Sequence, residues 1–275
     1  MSRQKRIAIF NDITGFGRCS TAVELPLISA LKVQACPLPT AILSVHTGFP
    51  NYYLHDFTPY MKDYMDSWAR TGLAFDGILT GFLSSPAQIG LISQCIKLFK
   101  KPGTLVIVDP VMGNYGRLYA SYTDELCRDM CQLLEHADVI TPNLTEACQL
   151  LRIPYPAGGQ ADAEMLEHIA ADLAALGPRQ VVITGLSRNQ EVGNYLYERG
   201  RHPQYLASPK VGHDRSGTGD VFAAIVAASL VRGESLYDAV HKAVTFIHRT
   251  LEYTESLGLP TNYGLAFEEF LTELK

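Results

Sequence analysis

The sequence predicts an α/β fold: a largely parallel central sheet with helices on both faces and a small antiparallel hairpin at one edge. Three observations predict it. Short aliphatic, β-branched runs such as Arg6–Phe10, Leu105–Val108 and Gln180–Thr184 alternate with longer amphipathic stretches. Strands that read as continuously apolar are those buried on both faces, as in a sheet covered by crossover helices. A chain of 275 residues, 47% hydrophobic and 19% charged, can bury a large core and is not disordered. No internal repeat is present, and the one low-complexity stretch, Pro154–Gln160, is a short connector. One domain over residues 1–275 is therefore expected.

Taken in order, Arg6–Phe10 is the first buried strand and Gly17–Leu31 a helix. Val33–Leu38 and Ala41–Val45 are strand-like, and Thr58–Arg70 has helical periodicity. Gly77–Leu83 is a strand, and Ser85–Lys100 a helix with Pro86 in its first turn, where a missing N–H costs nothing. Then come strand Leu105–Val108, helix Thr123–His136, strand Val139–Thr141, helices Thr145–Leu151 and Ala161–Leu176, and strand Gln180–Thr184. Gly193–Tyr197 and His202–Ala207, joined by the turn-like Glu198–Arg201, form the edge hairpin. Helices at Gly219–Val231, Leu236–Leu251 and Leu265–Leu274 close the chain.

Charge and cysteine usage narrow the function classes. With 23 Lys and Arg against 28 Asp and Glu the net charge is -5, which speaks against a general nucleic-acid or anionic-membrane surface. An anionic ligand would need a local site of opposite character. The six cysteines, at 19, 36, 95, 127, 131 and 148, are expected to be reduced thiols. Cys127 and Cys131 are four apart, but no second pair or nearby His completes a zinc set. The apolar run Ile7–Phe10 is too short for a signal-peptide core, and Val221–Val231 is too short to span a bilayer. A soluble, cytoplasmic protein is expected.

In open parallel sheets ligands bind beyond the carboxyl ends of the strands, so the residues that follow each strand carry the chemistry. After the first strand, Gly15–Ser20 reads G-x-G-x-x-S, which suits equally a plain glycine turn with an ordinary helix start and a small-molecule site, and more remotely a dinucleotide. The acidic residue a ribose would need is missing between Ala30 and Ile42. His46-Thr47-Gly48 ends the second region; a His and a hydroxyl there can orient a polar ring, or the His can simply be satisfied within a turn. Gly81-Phe82 is either a plain strand end or a ring-stacking wall. Asp109-Pro110-Val111-Met112-Gly113 puts a carboxylate at a strand end, where it can help hold hydrated Mg²⁺ or can form a proline-fixed turn. In Thr141-Pro142-Asn143-Leu144-Thr145-Glu146-Ala147, Asn143 and Glu146 are three apart, which suits a water-clad Mg²⁺ and equally a capping box. Thr184 sits at another strand end.

The strongest element is Gly212-His213-Asp214-Arg215-Ser216-Gly217-Thr218-Gly219-Asp220, running into the apolar helix from Val221. Glycines at a helix N-terminus let backbone N–H groups converge on an anion. Lys210, His213 and Arg215 supply local positive character. A carboxylate at Asp220 cannot bind phosphate, since like charges repel, but it can take a proton from a hydroxyl that attacks phosphate.

With these motifs on the page, the chain resembles the ribokinase superfamily, and within it the pyridoxal kinase-like (vitamin B6 kinase) branch, in matching order from about residue 6 to residue 250. Gly217–Asp220 looks like that family's anion hole and catalytic base, and DPVMG and TPNLTEA look like its branch motifs. The resemblance implies that ATP and Mg²⁺ meet Asp109, Thr141, Asn143, Glu146 and Thr184, with Asp109 and Glu146 reaching the metal through water. The phosphates would lie at the Gly217, Thr218 and Gly219 backbone. It implies that the vitamin meets Asn11, His46, Thr47, Gly48, Phe82 and Asp220. The implied reaction transfers the γ-phosphoryl group to the 5′-hydroxymethyl of pyridoxal, pyridoxine or pyridoxamine, in a homodimer with a monovalent cation such as K⁺. Three positions depart from the pattern: Asn11 where many members have Ser, Asn114 where many have Asp, and Phe82 where Tyr is usual. The alternatives are a hydroxymethylpyrimidine kinase, a dinucleotide oxidoreductase using Gly15–Ser20, and a non-catalytic B6-binding regulator, against which an intact Asp220 argues. Lys210–Ser216 is the segment expected to close over the site.

Overall fold

The computed structural model describes residues 4–119 and 122–274. In chain order the elements are β1 (Arg6–Thr14), α1 (Thr21–Ala30), β2 (Gln34–Leu43), β3 (Leu54–Asp56), α2 (Thr58–Arg70), β4 (Gly77–Thr80), α3 (Pro86–Phe99) and β5 (Leu105–Val108). They continue with β6 (Gly113–Asn114), β7 (Arg117–Leu118), α4 (Asp124–Leu134), β8 (Val139–Ile140), α5 (Leu144–Leu151), α6 (Ala163–Ala175), β9 (Gln180–Arg188), β10 (Glu191–Glu198), β11 (Gln204–Pro209), α7 (Thr218–Arg232) and α8 (Leu236–Ser256).

Nine strands form one sheet in the order β11-β10-β9-β8-β5-β4-β1-β2-β3. From β9 to β2 the pairings are parallel, while β3 at one edge and β10–β11 at the other are antiparallel. Period-two alternation splits the strands between two cores. Ile7 and Ile9 face Leu27, Ile225 and Val240 of α1, α7 and α8. Ala8 and Phe10 face the other way, toward Met61, Ile92, Met130 and Leu173 of α2, α3, α4 and α6. Val221–Val231 of α7 is buried on every side because the helix lies between the sheet and its neighbours α1 and α8, which is why its sequence is apolar all round. After β1 the chain runs outward to β2 and then returns to the other flank of β1 at β4. That reversal is the topological switch point, where a crevice opens beyond the strand ends.

The structure departs from the sequence reading at several elements. The first helix begins at Thr21 rather than Gly17, because Gly17 (φ 91°) and Ser20 (φ 54°) hold non-helical backbone. The two strand-like runs after it are one strand, β2, which carries Pro37 and Pro39. Its outer side pairs with β3 only at Ala41–Leu43, so neither proline owes an N–H to an outer neighbour. β3 and the β6–β7 hairpin were not expected. The edge hairpin is present as β10–β11, and β9 runs on to Arg188 to pair with β10 as well. Leu265–Leu274 reads as a helix but forms a 3₁₀ turn at Glu268–Glu273. The Ala266 N–H is drawn to Thr254 Oγ1 (2.9 Å), and Leu265 and Phe267 are buried, so tertiary contacts override helical periodicity.

The six cysteines are free thiols, and among the described residues no helix is long and apolar enough to cross a membrane. Gly90, exposed in the middle of α3, has no atom within 4 Å of where a Cβ would stand. Gly90→Ala is therefore expected to stabilise the protein by about 0.5–1 kcal/mol. A thermal melt checks this.

Candidate active site

The strand ends around the switch point line one cavity of ≈ 570 Å³. Sheet order arranges its walls. Asp12, Leu43, His46, Thr47, Gly48 and Phe82, at the ends of β1, β2 and β4 or just after them, lie on one side. Asp109, Thr141, Asn143, Glu146 and Thr184, from β5, β8 and β9, lie on the other. The start of α7 supplies Gly217, Thr218, Gly219 and Asp220 to the same cavity. Among the sequence-selected residues, Asn11 alone is absent from the wall. It is fully buried behind it, and its neighbour Asp12, also buried, lines the cavity instead.

Gly217 caps α7 in the left-handed region (φ 78°, ψ −2°), so the N–H groups that follow it are first-turn donors without intrahelical partners. A Cβ on Gly217 would stand 1.9 Å from the Arg18 carbonyl oxygen. The loop is therefore pressed against the segment after β1. The Thr218 hydroxyl donates to the Arg215 carbonyl (2.9 Å), which tightens the turn. Asp220, in the first turn, accepts the Ser20 N–H and its own N–H, and Asn11 Nδ2 at 3.2 Å. Burial, with Asp12 adding repulsion, pushes the Asp220 carboxyl up to about 6, and those hydrogen bonds oppose the rise. A carboxyl poised there is a competent base near neutrality.

Asp109 and Glu146 face each other across the second wall. Burial and mutual repulsion, with Asp220 adding to it, hold Asp109 well above the ordinary carboxylate range, opposed by the Thr141 hydroxyl at 3.0 Å. Burial raises Glu146 too, against N–H donors from Asn143, Met112 and Gly113. An oxygen-only donor pair that repels itself fits a hard cation such as Mg²⁺. Among the described residues no cluster of three or more carboxylate, His or Cys side chains could cage a metal. The fit is to an ion that keeps its waters and is shared with phosphate, as Mg²⁺ commonly is.

Two of the sequence-selected motifs also have structural hydrogen bonds. Asn143 and Glu146 form a complete capping box at the start of α5, and Asn143 Nδ2 donates to the Gly113 carbonyl (2.8 Å). The Asn143 side chain is thus committed to structure. His46 accepts the Gly48 N–H at Nδ1 (3.1 Å), so its other nitrogen, Nε2, carries the proton and donates to the Asn262 carbonyl (2.7 Å). It is a satisfied turn histidine that offers the cavity a ring face.

Arg215 is also corrected. Its guanidinium is buried, paired to Glu255 Oε1 (2.8 Å) and donating to the Leu259 and Pro260 carbonyls (3.0 and 3.1 Å). It ties the loop to the end of α8 rather than lending charge to an anion, which leaves Lys210 as the exposed cation there, beside the exposed His213 ring. Arg215→Ala is expected to cost about 1–3 kcal/mol of stability by stranding these partners. Chemical denaturation with its m-value measures it.

Residues 25–264 match the family model described as phosphomethylpyrimidine kinase. The chain belongs to this kinase family. The family chain is 30% identical over 273 residues to the pyridoxine kinase of Bacillus subtilis, covering 96% of this chain and 95% of that one. A Bacteroides thetaiotaomicron structure named for phosphomethylpyrimidine kinase, in a form with pyridoxal, is 36% identical, has a TM-score of 0.93, and is matched over 99% of this chain and 96% of its own. The pyridoxal kinase of Lactobacillus plantarum is 28% identical with a TM-score of 0.90, over 99% and 97% of the two chains. The ribokinase-like fold and the pyridoxal kinase-like branch are thereby established. The chain spans 46% and 43% of the length of two plant thiamine biosynthetic bifunctional enzymes that it also matches.

Sequence reasoning passed over two residues that line this cavity, Asp12 and Ser20, and one that lies behind it, Glu24. Asp12 lines the cavity and accepts the Thr14 hydroxyl (2.5 Å). Ser20 holds φ 54°, ψ −144°, which strains a residue with a side chain, and from there serves Asp220 with its N–H and Asp12 with its hydroxyl. Glu24 lies buried behind Asn11. Asn11 continues the row of Ile7 and Ile9 toward α1 and α7, and that alternation was the signal available for its place.

Proposed function

We propose that the protein transfers the γ-phosphoryl group of Mg-ATP to the 5′-hydroxymethyl group of a B6 vitamer: pyridoxal, pyridoxine or pyridoxamine. The observation that carries this reading is Asp220 in the first turn of α7. It lies beside the Gly217–Gly219 backbone and faces the same cavity as Asp109 and Glu146. Sheet order supports nucleotide phosphates between α7 and the β5–β8–β9 wall, and the acceptor ring toward β1, β2 and β4. There Phe82 and Leu43 offer apolar walls, Asp12 a polar partner, and Thr47 a hydroxyl.

Asp220 accepts the hydroxyl proton as the hydroxyl oxygen bonds to the γ-phosphorus. The bond from that phosphorus to the β–γ bridging oxygen breaks, and ADP departs with the electron pair. The first-turn N–H groups of α7 donate to the transferring phosphoryl oxygens, where charge must be stabilised without reorganisation. Asp109 and Glu146 would hold Mg²⁺ through its waters, and the ion supplies charge neutralisation at the phosphates. Thr141 orients Asp109, and the Asn143–Glu146 box fixes the loop carrying Met112 and Gly113. A homodimer, a monovalent cation such as K⁺ and cytoplasmic residence belong to the same proposal.

Pyridoxine kinase and pyridoxal-bound relatives that match nearly end to end favour B6 vitamers. The family model and the plant relatives favour the second reading, a hydroxymethylpyrimidine as acceptor. Initial rates with pyridoxal, pyridoxine, pyridoxamine and hydroxymethylpyrimidine, each with Mg-ATP, decide between them. The B6 reading predicts the highest kcat/KM with a vitamer and is overturned if the pyrimidine exceeds all three.

A further inference from the structure

Behind the cavity wall a buried carboxyl group is joined to Asp220 through one amide. The orientation of that amide, Asn11, is fixed by its partners. Its Oδ1 accepts the N–H groups of Asp12 and Phe82, both at 2.9 Å, and backbone N–H groups can only donate. The NH₂ end must therefore point to Glu24 Oε1 (3.1 Å) and Asp220 Oδ1 (3.2 Å), and both are acceptors. The room for this amide is built in: a Cβ on Gly81 would stand 2.4 Å from Asn11 Nδ2.

Glu24 is 1% exposed on α1, next to Val23 and close to Leu27 and Ile28 in the apolar core. Its Oε2 is buried with no hydrogen-bond partner among the described residues. The groups that act on it are Asp220, Asp12 and Asp109, all acidic, besides the Asn11 amide. An ionised carboxylate with one bare oxygen in such surroundings carries a large desolvation cost, which a proton on Oε2 removes. Burial, first of all, and then repulsion by Asp220 push Glu24 well above the ordinary carboxylate range, consistent with that geometry.

We propose that Glu24 is a positioning residue for Asp220: acting through Asn11 in its neutral form, it holds the base in register with the Gly217–Gly219 backbone. The anchor restrains one N–H of Asn11 so that the other stays aimed at Asp220. A neutral Glu24 does this without repelling the charge that Asp220 must carry. This rests on the reading of Asp220 as the base, so the test follows the titration of Asp220 itself as well as turnover. The other groups that face Asp220 are Asp12, Cys19, Asp109 and Tyr119, and none of them is altered.

The experiment compares Glu24→Gln and Glu24→Leu. Asp220 is titrated by carboxyl ¹³C NMR, assigned against Asp220→Asn, beside pH profiles of kcat/KM for pyridoxal. Gln reproduces the hydrogen-bonding pattern of a neutral Glu, so E24Q is expected to keep wild-type turnover and titration. Leu removes the anchor. E24L is expected to lower kcat/KM about tenfold at pH 7 with the KM for ATP kept. Its Asp220 titration should move up by about one unit as the stabilising amide is loosened. If both variants move the titration downward, Glu24 acts as a charge and the proposal fails. It fails equally if E24L matches the wild type, or if E24Q loses as much as E24L. Turnover that stays intact while the Asp220 titration moves would refute Asp220 as base and leave the positioning by Glu24 standing. Circular dichroism melts confirm that E24Q is folded, and this variant alone separates charge from hydrogen bonding.

Discussion

Asp220→Asn is expected to lower kcat about 10³-fold, the scale on which a positioned base contributes. Binding of Mg-ATP should be nearly unchanged, because the amide keeps the volume and removes a negative charge beside the phosphates. Isothermal titration with Mg-ATP and single-turnover rates separate the two effects. If turnover is retained, the hydroxyl needs no base at this position. In the wild type, kcat/KM should rise with pH through about 6 and level off above it, because the base works only when ionised. Stability should move the other way. The folded-state value lies above the 3.8 of an ordinary aspartate, so the native state binds more protons between those limits and loses stability as pH rises through them. Above about 6 both states are ionised and the penalty is complete. The uncharged Asn escapes it, so D220N should be more stable than the wild type at pH 7 by about 1–3 kcal/mol. The gain should vanish below pH 4. A variant that gains stability as it loses activity would mark Asp220 as a group held at a cost for function.

The sequence reading reached the carboxylates that stand directly after strands or in a helix first turn, because local pattern places them. Asp109 follows Leu105–Val108 without a break, and Asp220 follows two glycines at the start of an apolar helix. Asn11 was selected through the resemblance alone, and it lies buried behind the wall while Asp12 lines the cavity. The β1–β2 register shifts between Asn11 and Ile13, and such a bulge, which redirects side chains, leaves no mark in composition. Arg215 was misread because its partner Glu255 lies 40 positions away on another element. Glu24 was invisible for the opposite reason. A single acid in an amphipathic stretch reads as a solvated position, and only the closure of α1 and α7 over β1 buries it. β3 and the β6–β7 hairpin escaped because segments of two or three residues are too short to show a period. What was legible is whatever neighbours in sequence determine; what was not depends on contacts that only the sheet brings together.

Gly217→Ala should be nearly as damaging as loss of the base, by a different route. The Arg18 carbonyl is wedged between Gly217 (φ 78°) and Gly264 (φ 76°), and a Cβ on either would approach it to 1.9 or 2.6 Å. Both contacts are with backbone, so no side-chain rotation relieves them. The left-handed conformation alone costs an L-residue roughly 1–2 kcal/mol. Moving the Arg18 segment adds to that, and a total destabilisation of about 2–4 kcal/mol is expected. The segment that must move runs through Cys19 to Ser20, whose N–H is bonded to Asp220. One methyl group therefore disturbs the α7 N-terminus and the base together. A displacement near 1 Å at such a site lowers turnover by about 10²-fold. Gly264→Ala presses on the same carbonyl from a residue outside α7, so it should cost stability with a smaller loss of kcat. Melting temperatures and kcat for the pair test this. If G217A turns over like the wild type, the phosphoryl group is not held at this turn. If G264A loses as much activity as G217A at equal stability, the damage comes from the Arg18 segment rather than from the helix N-terminus.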